Sequence, residues 1–312
     1  MSDQTTPPTD GILVVDKPAG WTSHDVVAKV RKLMRTRRVG HTGTLDPFAT
    51  GVLVICLNRA TRLAQFLTGD DKEYLATVRF GYATDTGDLT GKVVGTVTDA
   101  RHLTAELIEA ALENFRGRIR QTPPMYSAKK VGGVKLYEMA RRGEEIERAA
   151  IEVEIKKLEL TGAPADAREN GAPACVEFNL RVICSAGTYI RALAEDIGKS
   201  LGIGAHLAQL RRARAGQCDL SRAVTLDGLA VLAEAGRTQD VLISMTEALV
   251  MPEVRLNDAE AAKVAHGNAL RCAVSYPAGT LLQLIAGQQL IAVAEYRADS
   301  RTLQPRVVLS GE

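Results

Sequence analysis

This chain is short of the features that announce most kinds of protein chemistry. Only 4% of its 312 residues are aromatic, so an aromatic side chain left exposed needs a specific reason. The net charge is +2, which by itself calls for no polyanionic partner. Five cysteines, at 56, 175, 184, 218 and 272, form no Cys-x-x-Cys pair, and Cys56 and Cys184 sit in apolar strand patterns. They read as buried thiols of a reducing compartment rather than a zinc centre or a disulfide frame. No apolar run approaches the length of a membrane span. Residues 1–10, read as a flexible N-terminus, are polar without the charged-then-apolar order of a secretory signal. A soluble cytoplasmic protein is the expectation.

Cofactor signatures are missing too. There is no Gly-x-x-x-x-Gly-Lys-Ser/Thr loop, and Gly202-Ile203-Gly204-Ala205-His206-Leu207 lacks the third glycine of a dinucleotide fingerprint. The five histidines show no His-x-x-x-His metal spacing, and Gly-x-Ser-x-Gly is absent. Neither a metal nor a cofactor is expected.

What is present is an ordinary globular composition, 46% hydrophobic and 24% charged, in a chain long enough for two domains. Its cations are clustered. Residues 24–40 hold Lys29, Arg31, Lys32, Arg35, Arg37 and Arg38 against one acid, Asp25. Residues 116–148 carry an excess of five, and Arg211, Arg212 and Arg214 form a third group. Three such clusters suggest a charged face, although each also reads as a solvated helix surface.

Strand patterns run over 11–16, 52–57, 74–80 and 176–184, the last two alternating cleanly. Residues 151–160 keep strand phase only with a bulge near Lys156-Lys157. Ser23 is placed to cap a helix through Met34, and further helices are expected over 60–67, 103–115 and 190–201. Residues 121–148, with Pro123-Pro124, Gly132-Gly133 and a helix over 135–142, read as a projecting insertion. From about 249 a separate unit begins, with a helix over 258–266 and several short strands. Strands and helices without regular alternation argue for an α+β fold.

The segment Arg38-Val39-Gly40-His41-Thr42-Gly43-Thr44-Leu45-Asp46-Pro47-Phe48-Ala49-Thr50-Gly51 sets one carboxylate between glycine-bearing turns. Pro47 keeps Asp46 out of helical backbone, and the following apolar strand braces the loop. Arg191, beside a glycine turn, is a candidate partner that would hold the acid ionised and orient it. Tyr74 and Tyr189 offer ring faces for stacking. Taken singly, these three read better as a surface charge and two packing residues. A carboxylate-pair glycosidase would need a second acid, for which Asp85 or Asp88 is available.

Several blocks together resemble the TruB family of tRNA pseudouridine synthases. They are Gly11-Ile-Leu-Val-Val-Asp-Lys-Pro-Ala-Gly, Gly40-His-Thr-Gly-Thr-Leu-Asp-Pro-Phe-Ala-Thr-Gly, Lys72-Glu-Tyr and Thr84-Asp-Thr-Gly-Asp. Gln121-Thr-Pro-Pro-Met-Tyr-Ser-Ala-Lys-Lys, Cys184-Ser-Ala-Gly-Thr-Tyr-Ile-Arg and Gly204-Ala-His-Leu-Ala-Gln-Leu-Arg-Arg follow in family order. Thr44 and Phe48 depart from the family pattern without touching Asp46.

The resemblance implies isomerisation of the uridine at position 55, in the T-loop of tRNA, to pseudouridine, with the base flipped out of its stack. By position, Asp46 falls on the catalytic nucleophile and Arg191 on its paired arginine. His41 falls on the residue beside the vacated base, Tyr74 on the aromatic stacked on the flipped base, and Tyr189 and Leu210 on pocket residues. Lys17 and Pro18 fall on a motif supporting the active-site loop. The resemblance further implies a mainly antiparallel catalytic domain over 11–248, with 121–148 as a basic thumb. A small PUA-like, β-rich RNA-binding domain would occupy 249–312. The tRNA T-arm is the expected partner, bound by a monomer. A non-catalytic RNA-binding or RNA-folding protein is the alternative.

Overall fold

A computed structural model describes residues 10–127, 130–131, 134–135, 139, 142, 146–167 and 175–309. The first strand, Gly11–Lys17 (β1), is followed by the helix Ser23–Leu33 (α1). Its cap is Thr22 rather than Ser23. The Thr22 hydroxyl accepts from the Asp25 amide while the Asp25 carboxylate accepts from the Thr22 amide, a closed capping box. That one-residue shift frees the Ser23 hydroxyl for another task, met below.

Val39–His41 (β2) and Thr50–Leu57 (β3) flank the Asp46 loop, and seven of the eight β3 residues are buried. The helix expected over 60–67 is in two pieces, a 3-10 turn over Asn58–Leu63 and a single α turn over Ala64–Leu67. Lys72–Phe80 (β4) alternates as predicted, with Tyr74, Ala76, Val78 and Phe80 inward. Ala105–Leu112 (α2) starts at a Thr104 cap and runs on as a 3-10 turn to Phe115. Gly117–Gln121 (β5), Ile151–Leu160 (β6) and Cys175–Cys184 (β7) come next. The register of β6 against β7 shifts between Ile155 and Lys157, the bulge the phase change required. Ile190–Ser200 (α3) then leads into Ala205–Ala215 (β8), and Leu226–Glu234 (α4) and Leu242–Ile243 (β9) complete this part.

The strands order as β9-β1-β3-β8-β4-β7-β6-β5. Pairing is antiparallel except where β8 meets β3, with Arg211 opposite Thr50 and Arg212 opposite Gly51. On one face, Phe80, Phe178, Val182, Leu193, Ile197 and Leu207 form a closed core under α2 and α3. Each such side chain contributes on the order of 1.5–3 kcal/mol by leaving water.

The cluster Arg211, Arg212 and Arg214 does not form the charged face expected of it. It lies on the central strand β8. Arg211 pairs with Asp16 at 2.7 Å and Arg214 with Glu73 at 3.3 Å, while Arg212 is buried.

Of the 121–148 insertion, Lys130–Val131 pairs with Val134–Lys135 as a short hairpin. Apart from Lys135, Met139 and Arg142, the helix expected over 135–142 lies outside the described residues, as do residues 1–9. A second sheet is built from Glu253–Arg255 (β10), Leu270–Arg271 (β11), Leu281–Ala286 (β12), Gln289–Arg297 (β13) and Thr302–Val308 (β14). It orders as β10-β12-β13-β14-β11, and Asp258–Ala265 (α5) lies against it behind an Asn257–Glu260 capping box. This sheet shares a core with the first: Ile285, Leu290, Val293 and Leu309 pack with Ile12, Val54, Cys56 and Ala215. Among the described residues, no helix is long and apolar enough to cross a membrane.

Candidate active site

Asp46 sits in the turn between β2 and β3, where its carbonyl accepts from the Ala49 amide at 3.1 Å. Three anchors fix that turn. The Ser23 hydroxyl accepts from the Leu45 amide at 2.9 Å and donates back to its carbonyl at 3.2 Å. The fully buried Lys17 ammonium donates to the carbonyls of Pro18, Trp21 and Pro47 at 2.9, 2.7 and 3.2 Å. The Arg212 guanidinium donates to Gly43 at 3.0 Å and Val52 at 2.7 Å. Buried backbone carbonyls left unpaired would cost about 1–3 kcal/mol each, so these cations are structural before they are anything else.

Arg191, from the first turn of α3, meets the carboxylate side-on. Its Nε lies 2.8 Å from Asp46 Oδ2, and its Nη2 donates to Oδ1 at 3.2 Å. Its remaining donors go to the carbonyls of Thr86 at 2.8 Å and Tyr126 at 2.6 Å. The guanidinium is thus held by three other segments and cannot swing away without leaving carbonyls unpaired. Burial pushes the Asp46 carboxyl above the ordinary carboxylate range. Arg191 opposes that rise, Asp88 adds to it, and Lys17 pulls back weakly. The outcome is a more basic carboxylate with its plane fixed by a bidentate partner.

Lys17 itself is pushed down to about 8, chiefly by burial and partly restored by Asp46. The Tyr74 phenol is pushed up by burial, with Arg212 opposing.

Asp46 opens onto a cavity of about 250 Å³ whose wall includes Tyr74, Tyr189, Leu210 and Arg191. Five of the residues predicted from sequence, from positions 46 to 210, therefore converge on one space. That volume lies below the roughly 300–1,000 Å³ typical of drug-sized ligands, so a single planar ring with its sugar is the right scale. His41 stands back from this wall. Its Nδ1 accepts from the Gly43 amide at 3.3 Å and its ring lies edge-on to His24, with centroids 5.7 Å apart. Lys17 joins the loop through the Pro47 carbonyl, while Pro18 is exposed and meets the same ammonium through its own carbonyl.

Several contributors escape sequence reasoning. Gln121, fully buried, clamps the Tyr189 backbone, accepting from its amide at 2.8 Å and donating to its carbonyl at 3.0 Å. Arg212, Ser23 and the Thr86 carbonyl act as described above, and Lys72 and Ser127 join the cavity wall. The partners of Gln121, Arg212 and Ser23 lie tens of residues away, so no local pattern gives them these roles. Neither candidate second acid of the glycosidase reading lines the cavity. Asp88 accepts from Thr86 Oγ1 at 3.0 Å and from the Thr90 amide at 2.9 Å, and Asp85 from the Lys92 amide at 2.8 Å.

A second, larger opening of about 540 Å³ lies where the two sheets meet, beside Cys218, Ile243 and Gln283. Its ion pair, Arg222 with Glu247, is solvent-exposed. Volume alone does not locate chemistry here.

Comparison with known proteins shows the family. Residues 31–190 match the N-terminal domain of the TruB family of pseudouridylate synthases, and residues 191–252 match the tRNA pseudouridylate synthase B C-terminal domain. The tRNA pseudouridine synthase B of Thermobifida fusca is 43% identical over 304 residues, covering 97% of this chain and 99% of that protein. The Bacillus pumilus enzyme of the same name is 46% identical over 262 residues, 84% of this chain and 83% of its own. Among solved structures, a chain of a Cbf5–Nop10–Gar1 complex superposes with a TM-score of 0.71 at 26% identity, over 96% of this chain and 85% of that one. A chain of an H/ACA RNP bound to a substrate RNA containing 2′-deoxyuridine gives 0.70 at 24% identity, over 99% and 92%.

Proposed function

Because the chain belongs to the TruB family of tRNA pseudouridine synthases, and so isomerises uridine to pseudouridine in tRNA, we propose that its target is the T-loop uridine at position 55. Asp46 is the nucleophile of this proposal. The observation that carries it is the bidentate Arg191–Asp46 pair on the wall of a cavity of nucleoside size.

The steps follow from what these side chains can do. The target base is stacked within a folded loop, so it must leave the stack, at a cost of a few kcal/mol. The Tyr74 ring, fixed in β4, offers a face for the extruded uracil, and stacking of this kind returns about 1–3 kcal/mol. A carboxylate oxygen of Asp46 attacks the nucleotide at the sugar C1′ or the base C6, and the bond between N1 and C1′ breaks. The uracil turns within the walled space and rejoins C1′ through C5. The proton on C5 is lost, N1 gains one, and the carboxylate is released unchanged. Atoms balance without an external reactant. Arg191 keeps Asp46 ionised despite burial.

The T-arm is the proposed partner of a monomeric, cytoplasmic enzyme. The thumb, residues 121–148, closes over the T-loop, and residues 249–312 form a PUA-like unit that grips RNA beyond it. Tyr126 and Ser127, at the thumb's base, already touch the site through Arg191 and the cavity wall.

Asp46→Asn keeps the shape and loses the nucleophile. It should abolish pseudouridine formation in a T-loop transcript while RNA binding stays close to wild type. Wild-type product from that variant would remove the catalytic role and leave the non-catalytic RNA-binding reading. Recovery of a rearranged, hydrated product from T-loop RNA carrying 5-fluorouridine would support the reaction class independently.

A further inference from the structure

One cationic cluster has no task in the site just described. Arg31, Lys32, Arg35, Arg37 and Arg38 are exposed, and Lys29 is half-buried beside them on α1 and the turn that follows. Several arginines elsewhere meet acids: Arg59 pairs with Asp10, Arg79 with Glu177, Arg181 with Glu73 and Arg211 with Asp16. Among the described residues, Lys29, Lys32, Arg35, Arg37 and Arg38 have no carboxylate in ion-pair reach. The nearby acid, Asp25, is engaged in the capping box with Thr22. Like charges gathered this way repel one another, an arrangement that favours a polyanion as partner.

The strip is rigid and starts at the catalytic loop. The Arg38 carbonyl accepts from the Asn58 amide at 2.7 Å, and Arg31 Nη2 donates to the Val39 carbonyl at 3.1 Å. At the other end, the Trp21 carbonyl accepts from the same Lys17 ammonium that holds Pro47, and Ser23 holds Leu45. The 11 residues of α1 span about 16 Å. Trp21 lies exposed at the end nearest Asp46. Two open depressions lie along the strip, of about 490 Å³ beside Trp21 and Lys29 and about 610 Å³ beside Arg31 and Arg35.

We propose that this face of α1 is a docking strip for the double-helical RNA stem adjoining the target loop. It takes the phosphates of that stem, and Trp21 packs against the nucleotide where stem meets loop. Helical RNA offers its phosphates and 2′-hydroxyls rather than base edges to such a surface, so the contact is one of charge and shape. The inference rests on the T-arm as substrate and extends it to a second surface.

The test uses the full chain and a T-arm hairpin. Lys32→Glu, Arg35→Glu and Arg37→Glu are combined in one variant, none of them in the catalytic machinery. Its dissociation constant for the hairpin should rise roughly tenfold or more at low salt. The slope of log Kd against log salt should become shallower by about one for each phosphate that the variant no longer neutralises. Turnover at saturating hairpin should persist. Trp21 is the sole tryptophan, so its emission in the unaltered protein should shift on hairpin binding. An unchanged Kd and slope, or an emission that stays constant at saturating hairpin, overturns the docking strip. Absence of pseudouridine in the wild-type reaction would instead overturn the T-arm assignment, whatever the strip does.

Discussion

The decisive conflict at the scale of single residues is between burying a carboxylate and using it as an anion. Desolvation drives Asp46 towards its neutral acid, and Asp88 pushes the same way. Arg191 opposes both through one hydrogen bond and a second ion-pair contact. In the proposed mechanism the reacting species is the carboxylate, so activity should fall as pH drops through the raised carboxyl pKa. Replacing Arg191 by Gln removes the charge that lowers that pKa. The acid limb of kcat/KM should therefore move to higher pH, and activity at pH 6 should suffer more than activity at pH 8. A pH–rate profile on a hairpin substrate checks this; loss of activity by an equal factor at every pH would show Arg191 acting by packing alone. The Asp46 block is legible in the sequence because the aspartate, its proline and its glycines are contiguous. Arg191 is legible only as a candidate, since 145 residues separate it from its partner. Arg212 reads in sequence as a surface charge and is not one. Its local neighbours are arginines and alanines, while the carbonyls that bury it belong to β3 and to the Asp46 loop.

Elements, rather than residues, decide where the loop sits. The parallel seam of β3 and β8 brings Gly51 against the backbone of Arg212, where an added Cβ would stand 2.2 Å from the Arg212 carbonyl oxygen. Gly51 also holds φ at +99°, a region side chains disfavour. Gly51→Ala should cost more than the roughly 1–3 kcal/mol of backbone strain, because the seam must also open. Gly40, on β2, has ordinary φ, and its Cβ would meet only a Thr61 methyl at 3.9 Å, so Gly40→Ala should be nearly neutral. The two glycines look alike in sequence, and melting temperatures should separate them by several degrees. Equal melting temperatures would remove the seam from the account of loop placement. The alternating strands β4 and β7 are legible because one face of each is buried. The strand β8 is not: Ala-His-Leu-Ala-Gln-Leu-Arg-Arg-Ala-Arg-Ala has no clean alternation and takes its form from being paired on both sides. Sequence alone puts the cap of α1 one residue late, at Ser23, and only the tertiary task of Ser23 explains why Thr22 takes it.

Over the whole molecule, the terminal sheet is tied to the first by more than the chain. Val293 is fully buried in a core that contains Ile12, Val52 and Ala215 from the first sheet. Arg59 donates to the Leu309 carbonyl at 2.9 Å, and Gln283 to the Leu249 carbonyl at 3.2 Å. Sharing apolar contacts makes the unfolding of either sheet expose surface on the other, so the two should lose structure together even in a chain of this length. Val293→Ala leaves a cavity in that shared core and should destabilise by about 1–3 kcal/mol. Calorimetry should then show one transition moved downward as a unit, with pseudouridine formation lost over the same temperature range. Two transitions in the unaltered protein, of which the substitution moves only the one that leaves activity intact, would mean that the seam carries no coupling. Asp46 would in that case be held by the first sheet alone, and the terminal sheet would serve the enzyme through its outer surface only.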